Sequence, residues 1–494
     1  MSVKIAAIAD IHYKSELPFP SNSPRKYAIA DILLLRAVKR LNRYIRPDIT
    51  IILGDLLDDG ACPNADKDCA RLKEILELLD SPVIILPGNH DKDIEEFYRR
   101  FPRPNQITDI KDVRFVTFWD EDRPGCQSHR SKSGMEVMSA ARRGHSGPIV
   151  SLQHVPLFPQ GKSNCPYHLL NSEEAWGIFK DTGYTLSLSG HHHEGDNLAQ
   201  RGDAAAVIVP ALCESPFAFT EIIIDGENVD TKTHQLKLPQ GAEFVDYHVH
   251  TPLAYCQENM NPATTIELAR EFGLGAFSFT EHSGQLHFDR ETYWDMSFLS
   301  EGINATRGRS ERIEDYFTMI KPFSPPAITG LEIDCDWKGN PVVLPGEMER
   351  AQVLVGAVHW LQEIMKPNPS AQAAGEETLR LLTRFLTCGV HILAHPFRLF
   401  LIKNMRIPYE IIPQLVSLLK ENNVAAELNF HNIDEPQPEF VQACVESGVK
   451  LVFGSDSHNL YEIGEFFPHI EFMKKCGYTL SDLPEIMARP EKEL

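Results

Sequence analysis

The sequence lacks any apolar run close to the roughly 20 residues that a membrane-spanning helix needs. Its first residues enter a strand-like apolar stretch at once, without the basic-then-apolar pattern of a secretion signal. The ten cysteines are scattered and form no Cys-x-x-Cys pair, which is typical of reduced thiols rather than of a disulfide framework. We therefore expect a cytoplasmic protein with no membrane partner.

Positive charge is also scarce, with 48 basic against 69 acidic residues and a formal net charge of −21. Such a surface repels a phosphate backbone unless a local basic patch compensates, so nucleic acid is not the expected partner. Bound divalent cations would neutralise part of the charge, because their ligands include carboxylates. The length of 494 residues predicts two or three domains and favours no particular oligomeric state.

Two similar stretches divide the chain. Residues Ile5–His12 form an apolar run that ends in Asp-x-His, and residues Glu243–His250 form one that ends in His-x-His. The segment Leu236–Ala242 between the two halves is rich in turn-forming residues. This arrangement predicts two domains, residues 1–238 and residues 243–494.

Polar side chains follow five predicted strands of the first half, just past the point where each strand ends. In chain order they are Asp10-x-His12, Gly54-Asp55-x-x-Asp58, Gly88-Asn89-His90-Asp91, His154 and Gly190-His191-x-His193. Ligands bind at this edge of open α/β sheets. A lone histidine there is usually an ordinary loop residue, but five such ends in order favour a metal site. Asp, Asn and imidazole together suit Mn, Fe or Zn, and one carboxylate can bridge two ions ~3.5–4 Å apart.

This half resembles the calcineurin-like metallophosphoesterases. The resemblance implies a two-layered β sandwich flanked by helices, with two divalent ions at its edge. It implies that the first ion is held by Asp10, His12, Asp55 and His193. It implies that the second ion is held by bridging Asp55, Asn89, His154 and His191. The family pattern also makes Asn89, His90 and Asp91 catalytic, with His90 protonating the leaving oxygen and Asp91 orienting His90.

The run from Glu121 to Gly147 is polar and contains several arginines. The pattern favours a solvated loop followed by a helix. The alternative is a segment that covers the substrate and binds a second phosphate.

About seven strand–helix units follow in the second half, which suggests a barrel rather than an open sheet. Nearly every predicted strand again ends in metal-type residues: His248, His250, His282, Glu332, His359, His395, Asp456 and His458. In a β/α barrel these side chains converge on the C-terminal face. Packed imidazoles repel one another when protonated, so we expect metal ions among them.

The second half resembles the polymerase-and-histidinol-phosphatase (PHP) family. The resemblance implies a distorted (β/α)7 barrel with up to three divalent ions. The implied ligands are His248, His250, Glu332 and Asp456 for the first ion, Glu332, His359 and His395 for the second, and His282 and His458 for the third. One further ligand is assigned to Glu258, with Cys256 as the alternative.

Two further residues of this half are candidates for substrate binding. Arg398 is assigned to a substrate phosphate, with a surface salt bridge as the alternative interpretation. Asn429, at another strand end, is assigned to contacts with the substrate or with the metal ligands.

Both halves therefore predict hydrolysis of phosphate esters. The leading hypothesis is a bifunctional phosphoesterase that cleaves phosphodiester or phosphomonoester bonds of small metabolites or nucleotides. A further hypothesis has the two domains act in sequence. One alternative is a nuclease or exonuclease that acts on DNA or RNA. The other is that one of the two metal domains is a structural or regulatory ligand-binding module.

Overall fold

The computed structural model describes residues 2–91, 93–159, 161–198, 204–306, 311–431 and 437–489. The chain divides into two compact units, Met1–Lys237 and Leu238–Leu494. The division falls within the turn-rich segment Leu236–Ala242. Among the described helices, none has the length and apolar character to cross a membrane.

The strands of the first unit are short and mostly buried. They are β1 (Val3–Ile8), β2 (Ile49–Leu53), β3 (Val83–Leu86), β4 (Ile107–Ile110), β5 (Val113–Thr117), β6 (Glu121–Arg123), β7 (Gln127–His129), β8 (Ile149–Leu152), β9 (Leu186–Ser189), β10 (Asp196–Asn197), β11 (Ala205–Ile208), β12 (Ala218–Asp225) and β13 (Asn228–Gln235). The α-helices are α1 (Ala30–Arg40), α2 (Ala65–Leu76), α3 (Ile94–Phe97), α4 (Lys132–Ala140) and α5 (Ser172–Thr182).

Two sheets form the layers of this unit, in the strand orders β13-β12-β1-β2-β3 and β10-β11-β9-β8-β5-β4. Their facing sides share one apolar core, in which Ile5 and Ile51 of the first sheet join Phe115, Val150 and Leu188 of the second. Met138 of α4 and Phe179 of α5 belong to a second cluster with Val116 and Ile149. The predicted two-layered sandwich flanked by helices is confirmed.

The second unit alternates strands and helices. Its strands are β14 (Val245–Val249), β15 (Ala276–His282), β16 (Ile328–Asp334), β17 (Val353–Ala357), β18 (Ile392–Leu393), β19 (Ala425–Asn429) and β20 (Leu451–Gly454). Its α-helices are α6 (Pro262–Phe272), α7 (Ser283–His287), α8 (Arg290–Trp294), α9 (Glu311–Ile320), α10 (Pro345–Met348), α11 (Ala371–Phe385), α12 (Arg398–Ile402), α13 (Ile412–Glu421), α14 (Pro438–Ser447), α15 (Phe467–Lys475) and α16 (Leu483–Ile486).

The seven strands of this unit close into a barrel in sequence order, β14 to β20. Each strand pairs in parallel with the next, and β20 pairs with β14 through Asp246 and Phe453. One apolar cluster of the barrel includes Tyr247, Val355, Ile392 and Val452. The predicted (β/α)7 barrel is confirmed.

The backbone turns sharply where the strands deliver their polar side chains. Left-handed φ angles occur at six candidate ligands, with values of 54° at Asp10, 47° at His12, 52° at Asp55, 70° at His191, 29° at His395 and 53° at Asp456. This conformation is disfavoured for residues with a Cβ and is concentrated at functional sites. A turn of this kind carries a side chain over the end of the sheet, and the surrounding fold must hold it there.

Candidate metal centres of the two units

The first centre begins with four side chains that meet beyond β1, β2 and β9. His12 Nε2 lies 3.2 Å from His193 Nε2 and 3.5 Å from Asp55 Oδ2. Asp10 Oδ1 lies 3.9 Å from His12 Nε2 and 3.6 Å from His193 Nε2. Three of these residues, Asp10, His12 and His193, form a group with donor atoms within 4.8 Å of one another. The structure thus brings together all four residues assigned to the first ion.

A second group shares Asp55. His154 Nε2 lies 3.4 Å from Asp55 Oδ2, 3.2 Å from Asn89 Oδ1 and 3.1 Å from His191 Nδ1. The Asp55 carboxylate is therefore close to donors of both groups, as a bridging ligand must be. Gly88 leaves the space for it, because a Cβ there would overlap the Asp55 carboxylate.

In two of these imidazoles, a hydrogen bond at Nδ1 determines that Nε2 faces the centre. His154 Nδ1 lies 2.6 Å from the Leu53 carbonyl, and His193 Nδ1 lies 2.7 Å from Glu214 Oε1. These oxygens only accept hydrogen bonds, so each Nδ1 carries the proton and each Nε2 presents a lone pair. Metal-bound histidines in proteins are oriented in this way.

Burial and charge act against each other in this centre. Burial raises the pKa of Asp55, but the imidazoles of His154 and His12 outweigh it and hold that pKa far below its usual range. Burial lowers the pKa of His154, yet Asp55 and Asp10 raise it to about 10. The Asp55 carboxylate therefore stays ionised against a protonated His154, and a cation that binds to His154 Nε2 would displace that proton.

His90 lies at the edge of the first centre, with its ring edge-on to His12 at 4.7 Å between centroids. Its Nδ1 lies 2.7 Å from the Asp58 carbonyl, which leaves Nε2 to face outward. The expectation that Asp91 orients His90 is wrong. Asp91 instead accepts hydrogen bonds from three backbone N–H groups, those of Leu56, Leu57 and Gly88.

Asp91 is half-buried beside Asp55. Burial, followed by the negative charge of Asp55, raises the pKa of Asp91 to about 7. Its hydrogen bonds span the loops after β2 and β3, so its contribution is to hold these two loops together.

The segment from Glu121 to Gly147 differs in part from a solvated loop. Strands β6 and β7 form an antiparallel hairpin, and the expected helix follows as α4. The carbonyl of Cys126 in the hairpin turn accepts a hydrogen bond from His191 Nε2 at 3.0 Å. Arg130 is 1% exposed and pairs with Asp120 at 2.8 Å. The hairpin therefore contacts one candidate ligand of the centre, and its predicted role in covering the substrate stays a prediction.

The second unit gathers its donors around Glu332, which is fully buried. Glu332 Oε1 lies 3.3 Å from His248 Nε2, 3.2 Å from His359 Nε2 and 3.3 Å from His395 Nε2. This places one oxygen among residues assigned to two different ions.

Asp456 joins His248 and His250 at the same place. Its Oδ1 lies 2.9 Å from His250 Nε2 and 3.5 Å from His248 Nε2. The residues assigned to the first ion of this unit are thus in one group.

The third group consists of His250, His282 and His458, whose donor atoms lie within 4.8 Å of one another. Glu258, the expected additional ligand, is not part of it: its side chain is exposed and accepts a hydrogen bond from Asn459 Nδ2 at 2.6 Å. Cys256 takes that place, with Sγ 3.5 Å from His282 Nε2. The loop after β14 turns Cys256 inward and Glu258 outward, so the geometry favours the alternative ligand.

Carboxylates orient two imidazoles of this unit. His248 Nδ1 lies 2.7 Å from Glu427 Oε1, and His359 Nδ1 lies 2.7 Å from Asp334 Oδ1. Glu427 also accepts a hydrogen bond from the backbone N–H of His395 at 2.9 Å. Asp334 was missed in the sequence, although it stands two residues after Glu332 on β16 and thus on the same side of the strand.

Arg398 reaches the centre, where its Nη2 donates to Asn429 Oδ1 at 2.9 Å and pairs with Asp456. Its Nε has no hydrogen-bond partner among the described residues. Asn429 Nδ2 also donates to Glu427 at 3.1 Å. Arg398 therefore does form a salt bridge, but its partner is the candidate ligand Asp456 rather than a surface carboxylate.

His431 was not singled out in the sequence, but its ring stacks on that of His458 with 4.8 Å between ring centroids. Glu214 in the first unit was also missed, because nothing in its local sequence marks it as the partner of His193. Both residues meet the centres only through the fold.

The donor sets fit divalent cations. Several buried atoms that point into the centres have no hydrogen-bond partner in the described part of the chain: Asp10 Oδ1, His248 Nε2 and His359 Nε2. Burial raises the pKa of Glu332, but His282 and His248 dominate and hold it well below the usual range. Buried polar atoms are nearly always paired, so cations among these lone pairs would account for them.

Comparisons with known proteins identify the family that each unit resembles. The family profile of the calcineurin-like phosphoesterases matches residues 3–195, and that of the PHP domain matches residues 246–431. The chain is 24% identical over 249 residues to the probable phosphatase YcdX of Escherichia fergusonii, across 47% of this chain and 86% of that protein. It is 36% identical over 83 residues to a probable phosphatase of Acetivibrio thermocellus, across 16% of this chain and 32% of that protein.

Among solved structures, a dimetal phosphatase from Danio rerio matches with 15% identity and a TM-score of 0.38, over 47% of this chain and 98% of that one. The assignment to families rests on the two profile matches, since one falls in the sandwich unit and the other in the barrel unit. The chain therefore joins a calcineurin-like phosphoesterase domain to a PHP domain, and it is a metal-dependent hydrolase of phosphoester bonds.

Proposed function

We propose that both units are catalytic and that the chain is a bifunctional phosphoesterase for small phosphorylated metabolites or nucleotides. The observation that carries the proposal is that each unit has its own buried set of imidazole lone pairs around a shared carboxylate, Asp55 in one and Glu332 in the other. A structural metal site needs only four closed ligands. Two such extended centres in one chain fit two reactions better.

Divalent ions of Mn, Fe or Zn, two in the first unit and up to three in the second, would supply an activated water and neutralise charge on the phosphoryl group. In the first unit, His90 Nε2 is placed to give a proton to the leaving oxygen, since its Nδ1 is fixed by the Asp58 carbonyl. In the second unit, the Arg398 guanidinium, held by Asn429, is placed to bind a phosphate oxygen.

The space beside the first centre favours a small substrate. A cavity of about 520 Å³ adjoins Asn89 and His154, within the usual size range of small-molecule sites. Its lining also contains Asp93, Glu95 and Asp122. Carboxylates along this wall disfavour a long polyanion, which argues for metabolites over DNA or RNA.

The test compares three forms of the purified, metal-reconstituted chain: the unchanged protein, Asp55→Asn and Asp456→Asn. Each is assayed against phosphomonoesters, phosphodiesters and cyclic nucleotides. We expect each variant to lose a different subset of activities by at least about 100-fold, because each removes a carboxylate from one centre only. Asp109→Asn and Asp295→Asn, at exposed carboxylates, are the matched controls.

The same experiment tests whether the units act in sequence. If they do, Asp456→Asn accumulates a monoester from a diester, and Asp55→Asn leaves the diester intact. Identical product profiles of the two variants on every diester would refute the sequence of reactions.

Two other functions make different predictions. A nuclease would bind single-stranded DNA with a strong salt dependence, whereas we expect no binding at low salt. A regulatory metal unit would lose thermal stability on chelation without any loss of activity. A catalytic metal unit would lose activity on chelation, and its melting transition would show whether the fold is kept.

A further inference from the structure

The third group of the second unit differs chemically from the first two. Besides the imidazoles of His250, His282 and His458, it has the thiol of Cys256 at His282 Nε2, while Glu332 contacts only the other nitrogen of His282. The other groups are centred on the carboxylates of Glu332 and Asp456. Thiolate is a soft ligand that selects zinc, while carboxylate also accepts Mn.

The surroundings of Cys256 are built for a sulfur that accepts hydrogen bonds. Gln285, which is 1% exposed, donates from Nε2 to Cys256 Sγ at 3.5 Å. The Gln285 amide is itself fixed, because its oxygen accepts the backbone N–H of Tyr255. Hydrogen bonds to a coordinating sulfur are a usual part of the surroundings of metal ligands.

The remaining donors face the same space. His458 Nδ1 lies 2.8 Å from the Asp456 carbonyl, so its Nε2 carries the lone pair. The rings of His282 and His458 flank that of His250, each with 4.2 Å between centroids. Buried imidazoles at this spacing repel one another once protonated, so this group also calls for a metal ion.

We propose that Cys256 is a thiolate ligand that makes the third metal position of the second unit selective for zinc. The other two positions, which rest on Glu332 and Asp456, accept Mn. The inference rests on the proposed metal centre of this unit and adds that its three positions hold different metals.

Cobalt substitution reads the sulfur ligand directly. The full chain is freed of metal and loaded with Co²⁺, and its near-ultraviolet absorption is measured for the unchanged protein, Cys256→Ser and Cys388→Ser. Cys388 is a half-buried cysteine of the same unit and serves as the control. We expect a thiolate-to-cobalt charge-transfer band that disappears only in Cys256→Ser. A band of equal strength in all three proteins would overturn the proposal.

Metal selectivity gives a second, independent measurement. After equilibration with equal Zn²⁺ and Mn²⁺, metal analysis should show that Cys256→Ser loses about one zinc ion per chain and keeps its manganese. Cys256→Asp should regain one ion as manganese, since it restores a charged but hard ligand. Unchanged zinc content in both variants would refute the thiolate ligand.

Neither readout depends on turnover. If the cobalt band is present but no phosphoester is cleaved, the proposed function fails and the thiolate ligand stands. If phosphoesters are cleaved and the cobalt band is absent, the thiolate ligand fails and the proposed function stands.

Discussion

Glu427 offers a test of how the second centre is oriented. It is 2% exposed and contacts two candidate ligands. One of its oxygens faces His248 Nδ1 at 2.7 Å, and the other accepts the backbone N–H of His395 at 2.9 Å. The single carboxylate thus sets the direction of two candidate ligands that belong to different ions.

The substitution Glu427→Gln keeps the shape and removes one of these two acceptors. A glutamine amide has one oxygen, so either the His248 Nδ1–H or the His395 N–H must face an NH₂ group. A hydrogen bond to a charged group contributes about 1.5–3 kcal/mol. Loss of an outer partner of a metal-bound histidine typically lowers metal affinity about 10–100-fold, roughly 1.4–2.8 kcal/mol. The two ranges overlap, so we expect Glu427→Gln to lower metal affinity by about 10–100-fold.

Competition with a chromogenic chelator measures the affinity, and urea unfolding of the metal-free protein measures stability. Glu347→Gln is the matched control, because Glu347 is equally buried and lies 2.9 Å from His287 Nε2, but neither residue is a candidate ligand. We expect both variants to lose stability and only Glu427→Gln to lose metal affinity. Equal metal affinities for the two variants would refute the argument.

Three other outcomes are expected. His90→Asn should lower kcat of the first unit by about 10²–10⁴-fold with the metal content unchanged, because its Nε2 supplies a proton and no ligand position; steady-state kinetics and metal analysis check this. Arg130→Met should destabilise the protein by about 3–5 kcal/mol in urea unfolding, because it leaves Asp120 buried without its partner. It should also weaken metal binding, because the hairpin next to Arg130 accepts a hydrogen bond from His191. Removal of metal by dialysis against chelator should lower stability by about 4 kcal/mol per bound ion relative to protein held at a thousandfold excess over Kd, measured by calorimetry, and restored metal should reverse the change.

The strand-end residues could be predicted from the sequence because they obey a local rule. Asp10 and Asp55 each follow an apolar run that forms one of two neighbouring parallel strands, and such strand ends meet at one edge of a sheet. His154 likewise follows a parallel strand of the second sheet. The same rule located Glu332 and Asp456 in the barrel. Fold class followed from the same alternation of strands and helices.

Apart from Asn429, the partners that orient the candidate ligands could not be predicted, and the reason is physical. His154 and His90 are oriented by the backbone carbonyls of Leu53 and Asp58, and any residue type carries a carbonyl. His193 depends on Glu214, which lies in a different loop. The choice between Cys256 and Glu258 depends on the course of one loop, since two residues along a chain face different directions.

The two folds supply negative charge to their proposed ions through different side chains. In the first unit, the carboxylates at the ligands and their imidazoles are Asp10, Asp55, Asp58 and Glu214, and Arg25 pairs with the last two. In the second unit, they are Glu281, Glu332, Asp334, Glu427 and Asp456, and Arg398 pairs with Asp456. Three divalent ions together with Arg398 carry more positive charge than these five carboxylates balance. Cys256 as a thiolate supplies one further negative charge beside His282, so the cysteine fits the third ion by its charge as well as by its place.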